Sequence, residues 1–218
     1  MIVALDGPAG CGKSTIAKLL SERLGFLYIN SGNLYRAIAF RSIQRGVPLE
    51  DTEALVRCAA EASMDCDADG GILLDGIKRS SELRTAEVDA IVAQVSAVPR
   101  IRFIVNDVVR RIASSRDAIV EGRDMTTVVF PDAQAKFFID ASIEERAKRR
   151  FNQGSSNLSY EAILENIRMR DAIDRGKAFG ALKIAEDALY LDTSGLTIEQ
   201  VYEKVYSKIL HSREEHGE

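Results

Sequence analysis

Gly7-Pro8-Ala9-Gly10-Cys11-Gly12-Lys13-Ser14, preceded by Met1-Ile2-Val3-Ala4-Leu5-Asp6, is the stretch that decides how this chain folds. The octet fits G-x-x-x-x-G-K-[ST], and its flanks give the pattern physical meaning. The apolar run before it, ending in Asp6, predicts a buried parallel strand. After it, Ile16, Leu19, Leu20 and Leu24 fall at helical spacing. Strand, glycine loop and helix together form a phosphate cradle. Glycines let backbone N–H groups converge on phosphate oxygens, and the helix N-terminus adds partial positive charge. Lys13 would reach the β- and γ-phosphates, and the Ser14 hydroxyl would bind Mg²⁺. The competing reading is a glycine-rich turn with a surface lysine, and the correct flanks argue against it. The loop therefore predicts a protein that handles a nucleoside triphosphate.

Outward from the loop, strands and helices alternate as an open α/β sheet requires. Phe26 to Asn30 is a second short apolar run. A helix is expected from Ser31, with Leu34, Ile38 and Ile43 on its apolar stripe, and another over Asp51 to Ala62, capped by Asp51 or Thr52. Ala68-Asp69-Gly70-Gly71, Ile72-Leu73-Leu74 and Asp75-Gly76 read as turn, strand and turn, a small antiparallel insertion at about 64–80. Helical periodicity resumes over Glu87 to Ala97 and from Pro99. Ala118 to Glu121 and Ala135 to Asp140 predict core strands, and Ala188 to Asp192 a last strand. Ser142-Ile143-Glu144-Glu145 fits a capping box, and Thr197 to Leu210 a closing helix. No repeat, low-complexity tract or linker divides the chain, so one domain over 1–218 is expected.

The 218 residues carry a net charge of −4, which argues against a general nucleic-acid surface. No apolar stretch approaches the ~18 residues of a membrane span, and no basic leader precedes an apolar run. A cytoplasmic protein is expected. Three cysteines, Cys11, Cys58 and Cys66, form no C-x-x-C pair, which suits a reducing compartment. Cys11 is either a small filler in the loop or, at a helix start that favours thiolate, an oxidation-sensitive residue. His211 and His216 both fall in the charged tail 211–218, expected to fray, so a core histidine triad or zinc site is excluded. Of the 29 basic residues, 20 are arginine, whose rigid fork matches phosphate and carboxylate oxygens.

The order of motifs resembles a family. Ser31-Gly32-x-x-Tyr35-Arg36, Leu83-Arg84-Thr85-x-Glu87-Val88, Pro99-x-x-Arg102, Glu121-Gly122-Arg123-Asp124-Met125-x-Thr127-Val128-Val129-Phe130-Pro131 and Arg170-Asp171-x-x-Asp174 are similar to bacterial cytidylate kinases from Ile2 to about Leu210. The Glu121 to Pro131 string is the most specific part. The resemblance implies a P-loop NTPase-type α/β fold, a five-stranded parallel sheet with helices on both faces. It also implies a nucleoside-monophosphate (NMP)-binding region at 31–100 that includes the insertion, and a lid at 150–180. The implied reaction is ATP + CMP or dCMP giving ADP + CDP or dCDP, with Mg²⁺ arriving with ATP at Ser14, in a monomer that binds neither nucleic acid nor membrane.

Roles follow from the same resemblance. Gly7, Pro8, Ala9, Gly10, Cys11, Gly12, Lys13, Ser14 and Thr15 are the ATP-binding loop, with Arg149 and Arg150 as further ATP ligands. Arg168 is a third candidate, and at least one of these three arginines is expected to be an ordinary solvated charge. Ser31, Tyr35, Arg36, Arg102, Arg123, Asp124, Arg170, Asp174 and Lys177 are the implied CMP-binding set. Lys13, Arg123 and Arg170 are the catalytic candidates. Arg36 and Arg123 would clamp the CMP phosphate; Arg36 reads alternatively as a solvated helix charge. Asp124 would accept from the cytosine amine while Arg102 donates to N3 or O2, and a fixed carboxylate would repel the carbonyl of uracil. Alternatively Asp124 pairs with Arg123. Arg170 and Asp174, four residues apart, share a helix face and would hold the ribose.

Several positions depart from the family pattern. Asn30 stands for an aspartate, Thr126 for a glycine, Lys177 for an arginine, Gly180-Ala181 for serine-proline, and Ala93 for a serine that touches cytosine. These bear on base selectivity and the lid rather than on reaction type. A broader UMP/CMP kinase, or a P-loop kinase for a sugar or shikimate-like acceptor, remains the alternative. A GTPase-like switch is disfavoured: the D-x-x-G matches at Asp67–Gly70 and Asp192–Gly195 are misplaced, and no N-K-x-D follows.

Overall fold

A computed structural model describes residues 1–67, 69–154 and 158–216. In chain order they form β1 (Ile2–Asp6), α1 (Lys13–Leu24), β2 (Leu27–Asn30), α2 (Ser31–Gln44), α3 (Thr52–Ala60), β3 (Met64–Cys66), β4 (Ile72–Leu74), β5 (Ile77–Arg79), α4 (Ala86–Val95) and α5 (Pro99–Ala113). There follow β6 (Ala118–Gly122), β7 (Ala135–Asp140), α6 (Ile143–Asn152), α7 (Tyr160–Gly176), β8 (Leu189–Asp192) and α8 (Ile198–His216). A 3₁₀ turn at Ser81–Arg84 and a π-helical turn at Met125–Val129 complete the set. Two compact units are distinguished: Met1–Phe26 with Ile119–Glu218, and Leu27–Ala118.

The main sheet has five strands in the order β2-β6-β1-β7-β8, as expected for an open α/β fold. β1 and β7 run parallel, with Val3 opposite Ala135 and Asp6 opposite Phe138, and β7 and β8 run parallel from Phe137–Leu189 to Asp140–Asp192. Val3, Ala4, Leu5, Ile119, Val120, Phe137 and Ile139 are fully buried, which is why these strands read as continuous apolar runs. β8 is the edge strand and leaves Leu189 and Tyr190 exposed. On the first unit α1 and α8 pack together, and Ile16 and Leu20 of the one and Val205 and Ile209 of the other are buried. α8 runs on to His216, beyond the expected end of the closing helix at Leu210. Gly217 and Glu218 lie outside the described residues, as do Ala68 and Ser155-Ser156-Asn157 of the polar stretch in the expected lid.

In the second unit β3, β4 and β5 form a three-stranded antiparallel sheet at the expected insertion. Asp75 (φ 52°) and Gly76 (φ 77°) are the two-residue loop between β4 and β5, and two positive φ angles there make a type I′ turn. Arg41 of α2, buried, pairs with Asp75 and so anchors the turn to the helix layer. Caps follow the sequence signals: Asp51 rather than Thr52 accepts from the Ala54 amide at 2.9 Å, Asn30 accepts from Asn33 at 3.2 Å, and Ser142 from Glu145 at 3.1 Å. Thr197 and Gln200 make a reciprocal capping box at the start of α8. Asn30 keeps the capping oxygen that an aspartate would offer, which accounts for that departure.

Candidate active site

The first unit carries the phosphate loop between β1 and α1. Gly7 (φ 150°) lies so close to β7 that a Cβ there would meet the Ile139 carbonyl oxygen at 1.9 Å. Lys13 folds back into the loop, with Nζ donating to the Gly7 and Pro8 carbonyls at 2.8 and 2.7 Å and lying 3.3 Å from Cys11 Sγ. Burial pushes its ammonium pKa below the ordinary lysine value. Cys11 is buried, as a filler would be. Ser14 and Thr15 are exposed at the start of α1.

Asp6 ends β1 and is fully buried, and it accepts three hydrogen bonds: from the Met125 amide at 2.9 Å, the Thr126 amide at 2.7 Å and the Thr126 hydroxyl at 2.6 Å. Burial outweighs these bonds and raises its pKa to about 6. The Thr126 hydroxyl gives the departure at that position a use, because glycine could not make the third bond. The turn so held carries Arg123 and Asp124. Arg123 Nε donates to Asp174 Oδ2 at 2.7 Å, and Lys177 Nζ donates to Asp174 Oδ1 at 2.7 Å. Burial works to raise the Asp174 pKa, yet the two cations outweigh it and hold the carboxyl well below the usual range. Arg123 is in turn raised: burial opposes its charge and Asp174 more than compensates. Asp174 thus bonds Arg123 and Lys177. Arg170 is half-buried beside it on α7, and Asp124 is 1% exposed.

Two arginines of α6 face the loop. Arg149 lies 3.3 Å from the Cys11 carbonyl and 2.8 Å from that of Thr193, with Nε on Glu145. Arg146, which sequence reasoning passed over, is 2% exposed and pairs with Asp171 at 2.7 Å. Arg150 is half-buried; Arg168 is exposed, with Nη1 3.7 Å from Glu165 Oε2. Packing of Ala147, Ile163 and Ile167 joins α6 to α7.

The second unit holds the remaining candidates. Arg36 is not a solvated charge: it is buried, donating to the Leu83 carbonyl at 2.9 Å and to Asp89 at 2.5 Å. The Arg102 guanidinium lies 5.5 Å from the Tyr35 ring and donates to the Ser96 carbonyl at 3.0 Å. Ser96 Oγ donates to the Ala93 carbonyl at 2.9 Å, so Ala93, partly exposed, stands one helical turn from the group that holds Arg102. Ser31 is buried at the first turn of α2. Asp6, Asp89 and Arg146 were missed because their partners are distant in sequence; an aspartate ending a strand just before a glycine loop was the one available signal.

The family described as Cytidylate kinase matches residues 3–211. A cytidylate kinase of Caldanaerobacter subterraneus subsp. tengcongensis is 43% identical over 211 residues, covering 95% of this chain and 93% of its own. One of Vibrio cholerae is 42% identical over 214 residues, covering 95% of each. Among solved structures, an uncharacterized protein from Eubacterium ventriosum superposes with a TM-score of 0.53 at 12% identity, covering 96% of this chain and 98% of that one, a likeness of fold alone. With the phosphate loop, the Arg123-Asp124 turn and the family match spanning nearly all of the sequence, the chain belongs to the cytidylate kinase family.

Proposed function

We propose that this protein transfers the γ-phosphoryl of Mg-ATP to CMP or dCMP, giving ADP and CDP or dCDP. The observation that carries the reading is a buried lysine inside a glycine loop, in a chain that matches the family over 3–211. Two anionic substrates repel each other, so catalysis rests on positioning them and on cations around the transferred group. Lys13 stabilises charge on the β- and γ-oxygens. Arg36 and Arg123 bind the CMP phosphate, Asp124 and Arg102 read cytosine, and Arg170 with Asp174 holds the ribose beside Lys177. Arg149 and Arg150 serve the ATP side, and Ser31 and Tyr35 complete the CMP set. Domain-wise this is one kinase domain with an NMP-binding region at 31–100 and a lid at 150–180.

Mg²⁺ fits the residues present. Ser14 offers an exposed hydroxyl, a hard oxygen donor, at the end of the loop. The ion would neutralise charge on the β- and γ-phosphates. A cytoplasmic monomer, binding neither nucleic acid nor membrane, belongs to the same proposal; no described helix is long and apolar enough to cross a membrane. ADP release with CMP, dCMP, UMP and AMP as acceptors tests the proposal. Turnover with CMP and dCMP is expected, and none with any of the four would refute it.

A further inference from the structure

Arg146 is buried to 2% exposure in α6, a costly place for a guanidinium unless its N–H groups are answered. Nε donates to the Ala141 carbonyl at 2.9 Å, Nη2 to Asp171 Oδ2 at 2.7 Å, and Nη1 to the Ala9 carbonyl at 3.2 Å. Three residues on, Arg149 Nη1 reaches the Cys11 carbonyl at 3.3 Å. One helix therefore grips two carbonyls of the phosphate loop, two residues apart.

Those carbonyls matter for what lies behind them. No peptide among the described residues is cis, and in a trans peptide the C=O and the following N–H point in opposite directions. Turning the Ala9 carbonyl toward α6 turns the Gly10 N–H away from it; turning the Cys11 carbonyl does the same for Gly12. Convergent N–H groups of this kind make an anion-binding concavity. The loop sits hard against α6 at this point, since a Cβ on Gly10 would lie 3.4 Å from the Arg146 Cβ.

We infer that Arg146 is a positioning residue for triphosphate binding. It holds the Ala9 carbonyl outward so that the Gly10 N–H faces the phosphates, and through Asp171 it ties that setting to α7. The inference rests on the loop's being the ATP site, as proposed above. A purely structural role would be to join α6 to α7, and that role runs through Asp171 rather than Ala9.

The two roles separate on the full chain, by calorimetric binding of ATP and of inorganic tripolyphosphate with Mg²⁺ and without CMP. Arg146→Met and Arg146→Lys are expected to weaken both ligands by about tenfold, the effect of one lost charge-assisted hydrogen bond. In turnover, KM for ATP should rise in step while KM for CMP changes by less than about twofold, since only one substrate's binding groups are re-aimed. Asp171→Asn keeps the Nη1–Ala9 bond, so it should lower the melting temperature yet alter tripolyphosphate binding by less than about threefold. Unchanged tripolyphosphate binding in Arg146→Lys, or an equal loss in Asp171→Asn, overturns the inference. Lysine keeps the charge opposite Asp171, so this variant carries the test if Arg146→Met does not fold. Absence of CMP turnover would defeat the proposed reaction, while the calorimetry would still decide the part played by Arg146.

Discussion

Asp174 is the residue on which most of the first unit's charge pattern turns, since Arg123 and Lys177 both donate to it. Removing one partner of a buried pair is far costlier than the pair is worth, about 3–5 kcal/mol, because the remaining charge stays buried. Asp174→Asn should therefore lower the melting temperature markedly and raise KM for CMP, as Arg123 loses the group that orients it. An unchanged KM would mean that Arg123 is oriented by other groups. At Ala93 the expected change is smaller and opposite in sign. A serine there would offer one hydrogen bond to cytosine, worth about 0.5–1.5 kcal/mol, or about two- to tenfold in kcat/KM. Ala93→Ser should improve CMP by that factor and leave UMP alone. Comparable kcat/KM for CMP and UMP in the unaltered protein would favour the broader pyrimidine kinase.

At the scale of elements, the π-helical turn Met125–Val129 hangs from Asp6, and this gives the fold a pH signature. Burial raises the Asp6 pKa from 3.8 to about 6, so the folded state holds its proton more tightly than the unfolded chain. The stability that follows is complete below pH 3.8 and is lost as pH rises through about 6. A shift of about two units is worth about 3 kcal/mol as an order of magnitude. Asp174 acts in the other direction: its contribution is present above the ordinary aspartate pKa and is lost on acidification below it. Urea unfolding at about pH 4.5 and 7 should show Asp6→Asn less stable than the parent at both, through mispaired donors, yet with the decline between them largely removed. An undiminished decline would assign the pH dependence elsewhere. Local elements were the legible ones. The Ser142 cap, the Asp75-Gly76 turn and the doubly buried strands announce themselves within a few residues, through oxygen placement, positive φ and apolar runs; the return bond of the expected capping box does not form, since the Ser142 amide donates to Ser194 and Glu145 accepts from Arg149. Asp6 with Thr126 and Arg146 with Asp171 do not announce themselves, because each joins residues 120 and 25 positions apart and nothing local marks the partner. For the same reason the alternative reading of Arg36 as a solvated helix charge stays open until Asp89 and the Leu83 carbonyl are known.

Over the whole molecule, binding of the proposed substrate has a readout in stability. A ligand that binds only the native state stabilises it by about 2.7 kcal/mol at one hundred times its Kd. For a chain of this size that is a rise in Tm of about 5–10 °C. Differential scanning fluorimetry with CMP or dCMP should show such a rise, and UMP at the same concentration a much smaller one. Equal shifts with all three would remove the basis for base selectivity. Heredity gives Gly7 a further meaning. Every change in the first two letters of a glycine codon that does not end the chain adds a Cβ, and at this position that atom would lie 1.9 Å from the Ile139 carbonyl oxygen. Gly25, with nothing within 4 Å of the same added atom, has room that Gly7 lacks. In a randomised library selected for activity, codon 7 would behave almost as a start codon does, with one permitted meaning.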